Sequence, residues 1–351
     1  MKTAKIIGAG GYGGVGILEL LLRHPEVQVT TLVAKDETGK PLSAIYPHLT
    51  GFCDMMVHSP DSPEAQAPAD IVFFSTPDRV GMKAAGAELA RGAKVVDYSG
   101  DFRFTDAAAY SDYASRIGLD TQHLSPDLLA KTVYGLPELG LSDYSQASIV
   151  GNPGCFAVSV NLGFAPAVKH GLITPGSAIA DCKTGVSGAG KKINASFHYP
   201  ARYDNVNAYR LTGHQHVREI EINMGKLGGR EFLLTFTPQV VPATRGILSV
   251  CYGQLVDGVT PEQVTEAYRE FYRGRPFVKI LPASAGIGTM HVRGSNFCFL
   301  VVDVDARTRK LRVISHIDNL MKGQAGSALQ NMNLLLGFPE TLGLMHPGQY
   351  P

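Results

Sequence analysis

The seven residues 8-GAGGYGG-14 stand between the apolar pair Ile6-Ile7 and a stretch in which Leu18, Leu21 and Leu22 recur at helical spacing. Glycine at that density marks a tight turn, where the backbone takes conformations that other residues avoid. Pro25 ends the helix, and 27-VQVTTLV-33 follows as an alternating strand. Strand, glycine turn, helix and strand make a βαβ unit. The pattern returns in 69-ADIVFFSTP-77 and 93-AKVVDYSG-100, two buried-strand signatures that flank a helical stretch from Arg79 to Arg91. The first part of the chain is therefore expected to be a mostly parallel sheet with helices on both faces.

A turn of this kind serves a ligand. Gly8, Gly11 and Gly14 fall at spacing three and three, with Gly10 and Gly13 between them. They let a dinucleotide pyrophosphate approach bare backbone at a helix N-terminus, where free N–H groups and the helix dipole favour an anion. The second strand closes on Thr30-Thr31-Leu-Val-Ala-Lys35, and Asp36 and Glu37 come only beyond it. An acidic residue at the strand end would grip the ribose hydroxyls of NAD. Its absence favours NADP, with Lys35 as the partner of the 2′-phosphate.

From about Cys155 the pattern changes. The strand candidates 177-SAIADCKTG-185, 230-REFLLTFTPQVV-241, 246-GILSVCYGQLV-256 and 297-FCFLVVDVDA-306 are long and alternating, as in an antiparallel α+β domain. The segment 319-NLMKGQAGSALQNMNLLLG-337 reads as a helix closed by Gly337 and Pro339, and is expected to return to the first domain.

Charge and cysteine usage exclude several functions. Lys and Arg total 32 against 31 Asp and Glu, so no general field holds nucleic acid or an anionic membrane. Five cysteines without a CxxC pair or a zinc-like Cys/His spacing fit a reduced compartment and no metal site. MKTAK runs straight into IIGAGG with no cleavable apolar region, and no stretch offers ~18 uninterrupted apolar residues. A cytoplasmic protein is expected.

Cys155 follows Asn152-Pro153-Gly154 and precedes the apolar run 156-FAVSVNLGFAP-166. A sharp turn into a buried helix would leave the sulfur in the first turn, where the dipole lowers a thiol pKa and backbone N–H groups can hold an oxyanion. Cys53, Cys182, Cys251 and Cys298 lie in or beside apolar stretches and read as space-filling. A base is offered by 208-AYRLTGHQHVREIEINMGKLG-228, which holds His214 and His216 ahead of Glu219 and Glu221. Two residues apart on a helix means roughly opposite faces, so only one histidine would face the sulfur. In 183-KTGVSGAGKKINA-195, Gly185, Gly188 and Gly190 with Ser187 would let a substrate or nicotinamide come close, and Lys183, Lys191 and Lys192 would attract a phosphate or carboxylate.

Eight separated stretches carry a resemblance over nearly the whole chain: the glycine turn ending GYGG, 97-DYSGDFRF-104, 134-YGLPEL-139, 152-NPGC-155, 183-KTGVSGAGKK-192, 213-GHQHVREIE-221, 235-TFTPQVVPATRGI-247 and 317-IDNLMKGQAGSALQNMNLLLG-337. In these the sequence resembles the N-acetyl-gamma-glutamyl-phosphate reductases of arginine biosynthesis. The resemblance implies an α/β Rossmann domain plus an α+β catalytic domain of the glyceraldehyde-phosphate and aspartate-semialdehyde dehydrogenase type. Residues 1–153 and 318–351 would form the NADP-binding domain, and 154–317 the catalytic and oligomerisation domain of a homodimer or homotetramer. It also implies roles: Cys155 as nucleophile, and His214 or His216 as acid/base, with His214 preferred. Gly8, Gly10, Gly11, Tyr12, Gly13, Gly14, Lys35, Ser187, Gly188 and Asn319 would hold the cofactor. Arg103, Asn152, Lys183, Lys191 and Glu219 would hold the acyl-phosphate substrate.

Three departures bear on these expectations. Phe156-Ala157-Val158 stands where the family usually has Tyr-Pro-Thr, Val217-Arg218 where proline usually precedes Glu219, and Gly10 and Gly13 where Ser and Thr are common. The first leaves open a substrate carried on a small acidic protein, either an aminoadipyl phosphate one methylene longer or a glutamyl phosphate. One methylene discriminates by only ~1–3 kcal/mol. A reductase of aspartyl phosphate is a weaker rival. A dinucleotide-binding redox sensor without turnover is a reading of a different class, for which no resolving cysteine is visible.

Overall fold

The computed structural model describes all 351 residues. The first half is built as its periodicity demands. β1 (Lys2–Ile7), α1 (Tyr12–Leu21), β2 (Val27–Val33), the short α2 (Leu42–Ile45) and β3 (Val57–His58) come first. β4 (Ile71–Phe74), α3 (Gly81–Ala90), β5 (Lys94–Asp97), α4 (Ala107–Arg116), β6 (Thr132–Tyr134) and β7 (Ile149–Gly151) follow. Their strands form one sheet in the order β3-β2-β1-β4-β5-β7-β6. Every pairing in it is parallel. Strands covered on both faces must be apolar throughout, and β4, IVFF, is buried at all four positions.

The second half starts with α5 (Cys155–Lys169), β8 (Ala178–Thr184), the short α6 (Tyr199–Arg202) and β9 (Asn207–Ala208). Next come α7 (Gln215–Gly228), β10 (Leu234–Val240), β11 (Ile247–Gln254), α8 (Pro261–Phe271), β12 (Val278–Leu281), β13 (Cys298–Asp305) and β14 (Lys310–Ile317). The second sheet runs β12-β13-β14-β11-β8-β10-β9. It is mixed rather than antiparallel throughout, because β8 pairs with β10, and β12 with β13, in parallel. A crossover connection lies between the members of each pair, carrying α7 in the first case and consisting of the long segment after β12 in the second; alternation along a strand carries no information on its partner's direction. α5, apolar on all sides, is buried between this sheet and α7.

The last segment is not a uniform helix. Met321–Ala325 form one π-helical turn, and α9 (Gly326–Leu336) continues from it to Gly337 in the left-handed conformation. Met321, Ala325, Ala328, Leu329, Met332 and Leu335 share a core with Ile6, Ile17, Leu18 and Leu21 of the first sheet and α1. No helix is long and apolar enough to cross a membrane.

Candidate active site

One cavity of about 780 Å³ opens between the two sheets. Gly11, Tyr12 and Gly13 lie at one side, Cys155 and both histidines in its wall, and Ser187, Gly188 and Asn319 on the segments that join them. The glycine turn is fitted for a dinucleotide. Gly8 has φ +91°, and a Cβ there would lie 2.2 Å from the carbonyl oxygen of Ser75, so no other residue fits. Gly11 caps α1 without any side-chain hydrogen bond, which leaves the first-turn N–H groups to an external anion. Gly8, Gly10 and Gly14 shape the turn without lining the cavity. Across it, Asn319 donates from Nδ2 to Ser187 Oγ at 3.0 Å and accepts the N–H of Gly246 at 2.7 Å, so its amide is fixed at the meeting point of the two halves.

Cys155 is the first residue of α5, and Gly154 is its N-cap in extended conformation. The sequence places the thiol at a dipole, but burial is the larger influence and pushes it up to about 11. The N–H of Phe156 and the charge of Arg103 pull the other way. Gly323 of the π turn packs against it, since a Cβ at 323 would lie 2.7 Å from Cys155 Cβ. The turn before the cysteine is anchored by Glu219. Its Oε1 accepts the N–H of Gly154 at 2.9 Å and the hydroxyl of Tyr134 at 2.7 Å, and its Oε2 accepts from Arg103 Nη1 at 3.2 Å. Arg103 in turn donates from Nε to the Asn152 carbonyl at 2.9 Å and from Nη2 to that of Tyr98 at 2.6 Å.

The two histidines do not occupy opposite faces. His214 is the N-cap of α7, with φ −68° and ψ 132°, so it lies outside the helical geometry that separates i from i+2. Both rings therefore pack on Phe156, at centroid distances of 5.8 and 6.1 Å. They differ in what their nitrogens do. His214 Nδ1 accepts the N–H of His216 at 3.1 Å, which fixes the neutral ring with its proton on Nε2. His216 Nδ1 has no partner, and its Nε2 lies against Gly154, 2.1 Å from where a Cβ would stand. Burial holds both neutral, His214 down to about 4 and His216 well below the ordinary imidazole range.

Of the other residues singled out in the sequence, Arg103 and Asn152 are in the cavity wall with Cys155. Glu219 is not; it is fully buried and its carboxylate is spent on the turn. Lys183 is also outside, because alternation along β8 sends Cys182 and Thr184 inward and turns Lys183 to Asp181. Lys35 is exposed beyond β2 and does not reach the cavity. Lys191 lies beside the glycine turn, not beside the thiol: its Nζ pairs with Glu37 at 2.8 Å and stands over the Tyr46 ring. Sequence reasoning missed Arg202 and Arg210, which join Arg103 in the wall. The wall holds three guanidinium groups and no carboxylate, and is thus built for an anionic ligand.

Comparison with known proteins agrees with this geometry. The family described as semialdehyde dehydrogenase, NAD binding domain, matches residues 3–147, and that described as semialdehyde dehydrogenase, dimerisation domain, matches 155–319. A protein of Symbiobacterium thermophilum named N-acetyl-gamma-glutamyl-phosphate reductase is 44% identical over 99% of this chain and 98% of its own. One of the same name from Geobacter metallireducens is 42% identical, with 98% of each chain covered. Among solved structures, aspartate semialdehyde dehydrogenase II of Vibrio cholerae complexed with ASA has the same fold, with a TM-score of 0.70 and 17% identity over 96% of this chain and 98% of that one.

Proposed function

The chain belongs to the semialdehyde dehydrogenase family, among its N-acetyl-gamma-glutamyl-phosphate reductases, and from that premise we propose its reaction: with NADPH it reduces N-acetyl-gamma-glutamyl phosphate to N-acetylglutamate 5-semialdehyde and phosphate, in arginine biosynthesis. The observation that carries this reading is the single cavity in which a dinucleotide turn, a cysteine at a helix N-terminus and two neutral histidines meet without any carboxylate. We place the NADP-binding domain at 1–153 and 318–351 and the catalytic domain at 154–317. The protein would work in the cytoplasm as a homodimer or homotetramer, assembled through the half that matches a dimerisation domain.

Gly11, Tyr12 and Gly13, with Ser187, Gly188 and Asn319 opposite, would hold the cofactor; once bound, its reduced nicotinamide supplies a hydride to an acyl carbon. The chain's own residues do the rest. His216 takes the thiol proton of Cys155, and it is favoured over His214 because the only lone pair of the neutral His214 ring is committed to capping its helix. The Cys155 thiolate attacks the acyl carbon, the carbon–oxygen bond to phosphate breaks, and a thioester remains, far more open to reduction than a carboxylate. Arg103 and Asn152 attend the departing phosphate. After reduction, N–H groups of the first turn of α5 hold the oxyanion of the tetrahedral adduct. Its collapse releases the semialdehyde and expels the thiolate, to which His216 returns the proton.

The test is phosphate-dependent NADP reduction by purified protein with N-acetylglutamate 5-semialdehyde, beside Cys155→Ala. Turnover in the wild type and none in the variant is expected. No turnover by a protein that binds NADPH would overturn the reading in favour of the longer, carrier-linked aminoadipyl substrate.

A further inference from the structure

A cation taken out of water needs an anion beside it. Apart from histidines, three cationic residues are buried in this fold: Lys5, Arg202 and Lys322. Lys5 is paired with Glu88 at 3.0 Å and Lys322 with Glu138 at 2.5 Å. Arg202 has no such partner. It ends α6, is 7% exposed, and its two hydrogen bonds go to neutral acceptors: Nη1 to the Val240 carbonyl at 3.3 Å and Nη2 to Asn207 Oδ1 at 2.5 Å. Its Nε is buried without any partner. Arg103 offers a contrast in the same cavity wall, because Glu219 already answers its charge.

An uncompensated guanidinium in the wall of a carboxylate-free cavity is complementary to an anion that arrives with the ligand. Asn207 and Val240 accept one N–H from each terminal nitrogen and hold the group in place, while three of its five N–H donors remain uncommitted. A guanidinium with free donors matches the two oxygens of a carboxylate. The substrate has two anionic groups. The phosphate is two bonds from the acyl carbon that meets Cys155, and Arg103, whose charge acts on that thiol, is the cation at that end. The α-carboxylate is separated from that acyl carbon by three others.

We propose that Arg202 anchors the α-carboxylate of the substrate and sets the reach between that carboxylate and Cys155. The proposal rests on the acyl-phosphate reductase reading above, and it makes Arg202 a specificity residue that nothing in the motif pattern singled out.

The experiment compares the semialdehyde with its α-carboxamide, in which the anion is replaced by a neutral group of the same shape, in wild type and Arg202→Gln. In the wild type the carboxamide raises KM by about 10–100-fold, the worth of a charge-assisted pair. In Arg202→Gln the two compounds have the same KM within about threefold, while KM for phosphate and the Kd for NADPH from fluorescence titration stay at wild-type values; Arg202→Lys recovers part of the discrimination. Undiminished discrimination in Arg202→Gln overturns the proposal, and so does a rise in KM for phosphate alone, which would make Arg202 a phosphate ligand. A second measurement stands even if the wild type turns over neither compound. The rate of Cys155 alkylation by iodoacetate relative to iodoacetamide falls several-fold in Arg202→Gln if Arg202 attracts a carboxylate to the cavity, and an unchanged ratio refutes it.

Discussion

Gly154→Ala is the substitution that most directly probes the contact between the turn of Cys155, the proposed nucleophile, and His216, its proposed base. Gly154 has φ −72° and ψ 146°, ordinary extended backbone, so alanine brings no conformational strain. What it brings is a Cβ 2.1 Å from His216 Nε2, 2.4 Å from Cδ2 and 2.7 Å from Cε1. Ordinary contact starts at 3.4 Å, so the ring must retreat by 1.3 Å or the turn must yield by that much. The ring has little room, with His214 at a centroid distance of 5.0 Å and Phe156 at 6.1 Å. Displacement of a catalytic group by about 1 Å costs on the order of 100-fold, or ~2.7 kcal/mol of transition-state stabilisation. Overpacking adds about 1–3 kcal/mol of lost stability. Steady-state kcat/KM in the reverse direction and a urea midpoint separate these two effects. Combining Gly154→Ala with His216→Ala should be no slower than His216→Ala alone, because the ring being displaced is gone. A Gly154→Ala enzyme with wild-type kcat/KM, or a double variant slower by a further 100-fold, would refute the reasoning.

Three other outcomes follow from the same contacts. His214 is held down to about 4 by burial, against 6.5 in the unfolded chain, so between those values the unfolded state binds more protons; its contribution is complete above pH 6.5 and lost as the pH falls towards 4. The stability difference between wild type and His214→Gln, from urea midpoints, should therefore shift against the wild type between pH 7.5 and pH 5. Gly8→Ala puts a Cβ into the Ser75 carbonyl at a left-handed position and should lose ~1–2 kcal/mol for the backbone and about 1–3 for the clash, with weakened NADPH binding in fluorescence titration. Lys322→Met leaves Glu138 buried without its cation and should cost about 3–5 kcal/mol by denaturant titration, whereas Lys322→Met with Glu138→Leu should recover most of it.

The readability of this chain divides along physical lines. The first βαβ unit was legible because glycine spacing and apolar periodicity are local properties, and β1, α1 and β2 match them. The position of Cys155 was legible for the same reason: proline and glycine end one element and an apolar run starts the next. Its ionisation was not, because the dipole is local to α5 while the burial that outweighs it is tertiary, the π turn at Gly323 included. The histidines misled because the two-residue spacing was read as helical, and His214 lies one residue before the helix. Lys183 could have been excluded from the sequence, since strict alternation in β8 sets it apart from Cys182 and Thr184. Arg202 and Arg210 fall where short elements give no period to read, and only the fold brings them to the wall. Glu219 was expected at the substrate and instead braces the turn, a distinction that depends on which hydrogen bonds are already made.

The cofactor half is completed by residues far along the chain. Until Met321 to Leu335 have left the ribosome, the apolar side of α1 that they cover has nothing to lie on, although its own strands were made some three hundred residues earlier. The nascent first half must therefore wait, with an open apolar face, for the catalytic half to be synthesised. A fragment ending at residue 317 should accordingly bind the dye ANS and fail to bind NADPH, while addition of the α9 segment in trans should quench the dye signal. Such an order of assembly ties the dinucleotide site to possession of the whole chain, so that a truncated product cannot sequester cofactor.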